Sequence, residues 1–145
     1  MANIQLKKYQ ANTLKVLRSY LEQARFSDAK TGYDHVLKEV LELEHFKPYQ
    51  ALPADGCADV PYVCMRLPTG GGKTLLSAYT IQLAAESYIE REFPVTMWFV
   101  PSEAIKAQTL ETLKNPRNAN RMALDKAFEG RFQVYDIDDY EQIRP

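Results

Sequence analysis

The chain has 145 residues, which suits one domain with a sizeable buried core. Its formal net charge is −1, with 26% charged and 46% hydrophobic residues, so bulk charge gives no indication of nucleic-acid binding and any such contact must be local. The N-terminus lacks an apolar signal core, and no stretch approaches the roughly 18 apolar residues that span a bilayer. We therefore expect a cytoplasmic protein without membrane contact.

The two cysteines and two histidines do not form a metal-binding pattern. Cys57 and Cys64 lack the paired spacing of a zinc site, and so do His35 and His45. Cys64 lies inside an apolar run, where we expect a small buried side chain. This usage fits a reducing compartment.

The first part of the chain is predicted to contain two helices and a connector. Residues 4–25 place Leu14, Leu17, Leu21 and Ala24 on one face, which predicts an amphipathic helix or a short lead-in followed by a helix. Residues 36–46 predict a second helix, because Val36, Val40 and Leu43 recur at helical spacing. Residues 48–61 contain three prolines and an Asp-Gly pair, and we interpret them as a connector.

The remainder alternates between apolar runs and helical patterns. The predicted order is strand 62–67, helix 73–90, strand 95–100, helix 102–114, helix 118–129 and strand 132–137. Ser102 is the expected N-cap of the fourth helix, and Gly130 is expected to end the fifth. Continuous apolar strands alternating with helices predict an α/β fold with a mostly parallel sheet flanked by helices.

A glycine loop lies between the first predicted strand and the helix after it. Residues 69–74 read Thr-Gly-Gly-Gly-Lys-Thr. Glycines let successive backbone N–H groups point at one anion, and the helix that follows adds its positive end. The general phosphate-loop pattern has glycine at the position of Leu67, so the match is incomplete. A plain flexible turn is the alternative, but Lys73 and Thr74 directly after three glycines favour a phosphate cradle.

Three stretches together resemble superfamily 2 helicases and translocases of the DEAD/DEAH type, most closely the helicase-like Res subunits of type III restriction enzymes. Residues 67–74 (Leu-Pro-Thr-Gly-Gly-Gly-Lys-Thr) resemble motif I, in which the leading glycine is often replaced. Residues 100–108 resemble motif Ia, and residues 6–10 (Leu-Lys-Lys-Tyr-Gln) resemble the glutamine motif upstream. Residues 26–60 carry no diagnostic motif.

The resemblance implies a RecA-like lobe that binds ATP and Mg²⁺. It implies that Lys73 reaches the β- and γ-phosphates and is the catalytic residue, that the Thr74 hydroxyl ligates Mg²⁺, and that Gln10 recognises adenine. The remaining implied cofactor-binding residues are Thr69, Gly70, Gly71 and Gly72, and the implied nucleic-acid contacts are Pro101, Ser102 and Gln108. DNA is favoured over RNA, and the implied partners are the remainder of the motor and other restriction or defence subunits.

Each assignment has an alternative. The pair Tyr49-Gln50 competes with Tyr9-Gln10, although a proline-rich connector follows it instead of a helix. Residues 101–108 could be only a capped helix packing on a sheet. The acidic run 136–139 is interpreted as a solvated strand end, because an Asp-Glu magnesium motif normally follows a more strongly apolar strand.

The predicted organisation is a helical segment with the glutamine motif and connector at 1–59, followed at 60–145 by the first part of a RecA-like lobe. No strand-end Asp-Glu pair or arginine finger is found by Pro145, so we expect the N-terminal part of a longer ATP-dependent motor. Whether the 145 residues are themselves an enzyme stays open. The alternatives are a non-catalytic nucleotide-binding or partner-binding module and a P-loop NTPase outside the helicases.

Overall fold

The computed structural model describes residues 4–142 as an assembly of helices joined by segments without regular secondary structure. The α-helices are α1 (Lys8–Phe26), α2 (Ala29–His35), α3 (Lys73–Ala84), α4 (Glu103–Lys114) and α5 (Ala119–Phe128). π-helical turns extend α2 (Val36–Val40) and α3 (Ala85–Ile89), and a 3₁₀ helix covers Ile137–Gln142. None of the helices described is long and apolar enough to cross a membrane.

Helix α1 begins at Lys8 because the preceding residue and Gln10 cap it. The backbone N–H of Lys7 donates to Oε1 of Gln10 at 2.9 Å, which satisfies a group at the helix start. The predicted apolar face is buried, with Leu17, Leu21 and Ala24 joined by Tyr20. The sequence pattern therefore predicted the buried face of α1. Of the two predicted arrangements, the structure has the short lead-in, residues 4–7, followed by the helix.

The second helix lies earlier in the chain than predicted. Asp28 is its N-cap, and the carboxylate accepts a hydrogen bond from the backbone N–H of Thr31 at 2.8 Å. The α-helix then ends at His35, and residues 36–40 form one π-helical turn instead of the start of a longer helix. The predicted helix over 36–46 was wrong because the helix begins at the Asp28 cap, whereas the apolar spacing of Val36 and Val40 suggested a later start.

Helix α3 is buried on two sides. On one side Leu83 packs with Leu17, Tyr20, Leu21, Ala24 and Val36, which together form the first core. On the other side Ala78 packs with Ala85, Leu113, Ala123, Leu124 and Phe128, which form the second core. Leu76, one turn into the helix, is only 1% exposed. The sequence of α3 is apolar nearly all round because both sides are covered.

Helices α4 and α5 begin at side-chain caps. The Ser102 hydroxyl accepts from the backbone N–H of Ile105, and the Asn118 side chain accepts from that of Asn120. Helix α5 ends with Glu129 and Gly130 in the left-handed conformation, and the N–H of Gly130 donates to the carbonyl of Asp125. The helices predicted at 102–114 and 118–129 are therefore confirmed, and so are the Ser102 cap and the end at Gly130.

The predicted α/β fold with a RecA-like, mostly parallel sheet was wrong for the part of the chain that the structure describes. Residues 62–67, 95–100 and 132–136 have no regular secondary structure there, and Ile137 begins the 3₁₀ helix, so none of the three segments forms a strand. Trp98 packs against the second core, whereas Val95, Met97 and Phe99 are 96%, 75% and 87% exposed. An apolar run indicates a tendency to be buried but does not supply the neighbouring strand, about 4.8 Å away, that a ladder requires.

The segment 62–67 is also less buried than predicted. A cavity of about 340 Å³ separates part of it from α1 and the first π-helical turn. Cys64 lines this cavity and is exposed, so the expectation of a buried thiol was wrong. The apolar run around Cys64 suggested burial, but the segment lies at the edge of the first core.

Hydrogen exchange would show whether residues 62–67 and 95–100 lack the hydrogen bonds of a strand. Because their backbone N–H groups lack a ladder, we expect amides of residues 95–100 to exchange at least about a hundredfold faster than amides in the middle of α3, which open only with the core. Amide exchange followed by mass spectrometry measures this ratio. Slow exchange in residues 62–67 and 95–100 together would show that a sheet forms.

The contact between α1 and α2 gives a stability prediction at Gly32. A Cβ at this position would lie 2.7 Å from the backbone N and 3.0 Å from Cα of Ala24. Alanine is the better helix former by about 1 kcal/mol, but overpacking typically costs about 1–3 kcal/mol. We therefore expect Gly32→Ala to lower the free energy of unfolding, measured by urea denaturation.

The control is Lys30→Ala on the exposed side of α2, which should change stability by less than about 0.5 kcal/mol. A Gly32→Ala protein more stable than the parent would show that α1 and α2 do not approach this closely.

Candidate functional site

The glycine loop makes a tight turn directly before α3. The N–H of Gly71 donates to the carbonyl of Pro68 at 3.0 Å, which closes the turn. Gly70 and Gly72 have φ of +73° and +77°, in the left-handed region that glycine enters without steric cost. The loop therefore curls where the three glycines are placed.

Two of the glycines are also required by close approach. A Cβ on Gly71 would lie 2.8 Å from the Pro68 carbonyl oxygen, and one on Gly72 would lie 2.6 Å from Nε2 of Gln10. Real Cβ atoms do not approach other atoms so closely. The loop backbone is therefore packed against its own turn at Gly71 and against the Gln10 side chain at Gly72. A side chain at position 71 would meet fixed backbone, whereas one at position 72 would have to displace Gln10 and adopt a left-handed backbone.

The start of α3 differs from the starts of α2, α4 and α5. Its N-cap is Gly72, which offers no side-chain acceptor, whereas the side chains of Asp28, Ser102 and Asn118 cap the other three. Like α2 and α5, α3 has no acidic residue in its first turn. Helix α4, by contrast, has the Ser102 cap and Glu103 in its first turn. Because the first N–H groups of any helix have no partner within the helix, those of α3 remain donors at a positive helix end. This arrangement can bind an anion.

Lys73 and Thr74 lie at this helix end. The Lys73 ammonium donates to the carbonyl of Pro68 at 3.0 Å, so it folds back over the loop. Thr74 is half-buried, whereas Thr69 and Gly70 at the front of the loop are exposed. The structure thus brings the six predicted loop residues together around one turn and one helix start.

Gln10 contacts this loop across 61 residues of sequence. Its Nε2 donates to the carbonyl oxygen of Gly71 at 3.0 Å, and the residue is 6% exposed. The competing pair lies elsewhere: Tyr49 bonds the connector through the Val60 carbonyl and the Tyr62 N–H, and Gln50 is exposed. Of the two candidate glutamines, the structure places Gln10 at the loop.

Tyr9 also contacts the loop and was not among the predicted site residues. Its hydroxyl donates to the same Gly71 carbonyl at 2.9 Å. The dipeptide Tyr9-Gln10 drew attention to the glutamine, and no feature of the sequence indicated that the tyrosine hydroxyl would reach the loop. The contact depends on the packing of α1 beside α3.

The residues predicted to contact nucleic acid lie at the start of α4. Pro101, Ser102 and Gln108 are exposed, and the Ser102 hydroxyl caps the helix. Among the described residues, no hydrogen bond from these three reaches the glycine loop. The hydrogen bonds described thus give no direct link between this group and the loop.

Lys106 on the same helix is surrounded by carboxylates. Its ammonium lies 2.9 Å from Glu103, 3.3 Å from Asp136 and 3.8 Å from Asp138. Hydrogen bonds to Glu103 and Asp136 raise the pKa of Lys106 despite partial desolvation. Desolvation acts to raise the pKa of Asp136. The hydrogen bonds from Lys106 and from backbone N–H groups have a larger combined effect in the opposite direction, so the pKa of Asp136 is lowered.

The acidic run is therefore more than a solvated strand end. Asp136 is half-buried against Lys106, and residues 137–142 turn into a 3₁₀ helix, although Asp138 remains exposed as predicted. The contact between Glu103 and Lys106 follows from their helical spacing, whereas the contact with Asp136 is tertiary and has no local signal.

Metal binding by the protein alone is not supported by the described part of the chain. Within residues 4–142, no group of three or more His, Cys, Asp or Glu side chains could hold a metal ion. Mg²⁺ commonly keeps several waters and binds through few protein oxygens together with substrate phosphates. Near the loop, Thr74 carries a hydroxyl oxygen, a hard ligand of the kind that Mg²⁺ accepts.

Comparison with known proteins identifies the family. A family model described as "Type III restriction enzyme, res subunit" matches residues 3–142, which is nearly the whole chain. Comparison with curated proteins gave no match, and neither did comparison with solved structures. The matched family is a helicase-like domain of superfamily 2. The chain therefore belongs to the family of type III restriction enzyme res subunits.

Proposed function

We propose that residues 69–74 and the start of α3 bind the phosphates of ATP–Mg²⁺ in a helicase-like motor domain. The observation that carries this proposal is the uncapped start of α3, which follows a loop where Gly71 lies against backbone and Gly72 has a left-handed conformation beside Gln10. Unpaired N–H groups, a positive helix end and a lysine at one place suit a triphosphate. The family supports the same nucleotide.

Lys73 would act as the main cationic contact to the phosphates and as the catalytic residue. In the structure its ammonium donates to the neutral carbonyl of Pro68. A hydrogen bond from an ammonium to a phosphate oxygen joins two opposite charges, whereas the acceptor in the bond to Pro68 is neutral, so phosphate is the stronger partner. Lys73 would therefore exchange Pro68 for phosphate when the nucleotide binds. Thr74 would ligate Mg²⁺, which supplies charge neutralisation at the phosphates when bound.

Gln10 would read the adenine edge. An amide carries two N–H donors and two acceptor lone pairs. One N–H is used by the Gly71 carbonyl and one lone pair by the N–H of Lys7, so a donor and an acceptor remain for the base. Since Gln10 lies against the loop, the adenine would be next to the first turn of α1.

The start of α4 would contact nucleic acid, with DNA favoured over RNA, through Pro101, Ser102 and Gln108. All three are exposed. Because Lys106 is paired with carboxylates, this contact would rely on neutral groups and would show a weak dependence on salt concentration. The remainder of the motor and other restriction subunits would be the protein partners.

Replacing Lys73 tests the phosphate site. Hydrogen bonds to charged groups contribute about 1.5–3 kcal/mol, so Lys73→Ala should weaken ATP binding roughly ten- to hundredfold. Titration of the 145-residue chain with a fluorescent ATP analogue and Mg²⁺ measures this change. Lys114→Ala, at the exposed end of α4, removes a lysine away from the loop and should bind normally. Equal affinity in the parent and Lys73→Ala would exclude the proposed phosphate role.

Replacing Gln10 tests base recognition. Gln10→Ala leaves the adenine donor and acceptor without partners, at a cost of about 1–3 kcal/mol, so ATP should bind roughly tenfold more weakly. GTP should be affected less, and the ATP-to-GTP affinity ratio should approach one. The ratio is the informative quantity, because loss of the Gly71 contact acts on both nucleotides alike.

Gln50→Ala is the matched control, since Gln50 is an exposed glutamine after a tyrosine in the connector. A base preference that survives in Gln10→Ala and disappears in Gln50→Ala would show that the second Tyr-Gln pair reads the base.

A further inference from the structure

One loop carbonyl receives two hydrogen bonds from the first turn of α1. The Tyr9 hydroxyl and Nε2 of Gln10 donate to the Gly71 oxygen at 2.9 Å and 3.0 Å. A carbonyl oxygen has two lone pairs, so both are occupied. Consecutive residues of the helix therefore hold the same peptide group of the loop from a sequence distance of 61 and 62 residues.

Without these bonds the peptide group would have few constraints on its rotation. It joins two glycines, Gly71 and Gly72, which rotate more freely than other residues about the bonds that flank it. The peptide is trans, so the carbonyl of Gly71 and the N–H of Gly72 point in opposite directions. A rotation of the peptide would move the carbonyl oxygen to the side where the N–H now lies. An anion site would then lose a donor and gain an acceptor.

The two hydrogen bonds prevent this rotation. While the Gly71 oxygen is held against α1, the N–H of Gly72 must face away from α1. The Gln10 amide contributes one bond, but as proposed above its remaining groups serve the base. The Tyr9 hydroxyl has no such second task, and at 38% exposure its ring lies at the rim of the contact.

We propose that Tyr9 is a positioning residue for the phosphate site, which holds the Gly71–Gly72 peptide so that the Gly72 N–H stays available to a phosphate. This inference rests on the proposed function of the loop. Tyr9 does not touch the nucleotide. Its effect is on the phosphate end of the ligand, whereas Gln10 acts on both the phosphate end and the base.

The test removes only the hydroxyl, with Tyr9→Phe, and uses inorganic tripolyphosphate as the probe. Binding is measured by displacement of a fluorescent ATP analogue from the 145-residue chain. A hydrogen bond contributes about 0.5–1.5 kcal/mol net, so tripolyphosphate should bind roughly two- to tenfold more weakly. The ATP-to-GTP affinity ratio should be unchanged, because Gln10 remains.

The matched control is Tyr49→Phe, which removes a tyrosine hydroxyl that bonds the connector. Its tripolyphosphate affinity should equal that of the parent. A second readout is the amide signal of Gly72 in a ¹H–¹⁵N NMR spectrum without ligand, which should broaden or shift in Tyr9→Phe and not in Tyr49→Phe. General destabilisation would affect signals throughout the core and would not single out this amide.

The outcomes separate this inference from the proposed function. Weaker tripolyphosphate binding in both Tyr9→Phe and Lys73→Ala, with an altered Gly72 signal, supports the positioning role. Unchanged binding in Tyr9→Phe, while Lys73→Ala binds weakly, overturns the positioning role and leaves the phosphate site intact. Equal losses in Tyr9→Phe and Tyr49→Phe also overturn it, and unchanged binding in Lys73→Ala overturns both proposals.

Discussion

Helix α3 has to bury two opposite sides at once, and the positions of the other helices follow from this constraint. Leu83 on one side packs with α1, and Ala78 on the other packs with α4 and α5. Burying an apolar side chain contributes about 1.5–3 kcal/mol, so neither side can be uncovered without a large loss. Because Leu76 is buried one turn into the helix, the start of α3 and the loop before it are fixed as well.

The same packing sets the register of α1. The two helices run in the same direction, since Gln10 contacts Gly71, Arg18 contacts Glu86 and Arg25 contacts Glu90. The two arginine pairs are substantially exposed, and exposed ion pairs contribute little to stability. The two ion pairs are informative about geometry, because they form in the same alignment of α1 and α3 that places the first turn of α1 beside the loop.

The sequence was informative where the controlling interactions are local. Ser102 and Gly130 marked helix ends correctly, and the three glycines before Lys73 predicted a tight loop at a helix start. It failed where the partner lies far along the chain. The apolar run 95–100 carried no information about a neighbouring strand, and nothing near Lys106 indicated Asp136.

The three glycines of the loop differ in the substitutions that each position would tolerate, because their surroundings differ. Position 70 has open space around it, so its left-handed backbone is the feature that restricts substitution. Asparagine adopts this conformation more readily than most residues. Position 71 has an ordinary backbone but faces the Pro68 carbonyl, and position 72 combines a left-handed backbone with Gln10 at its surface. The three positions thus need glycine for three different reasons, and only position 70 has open space for a side chain.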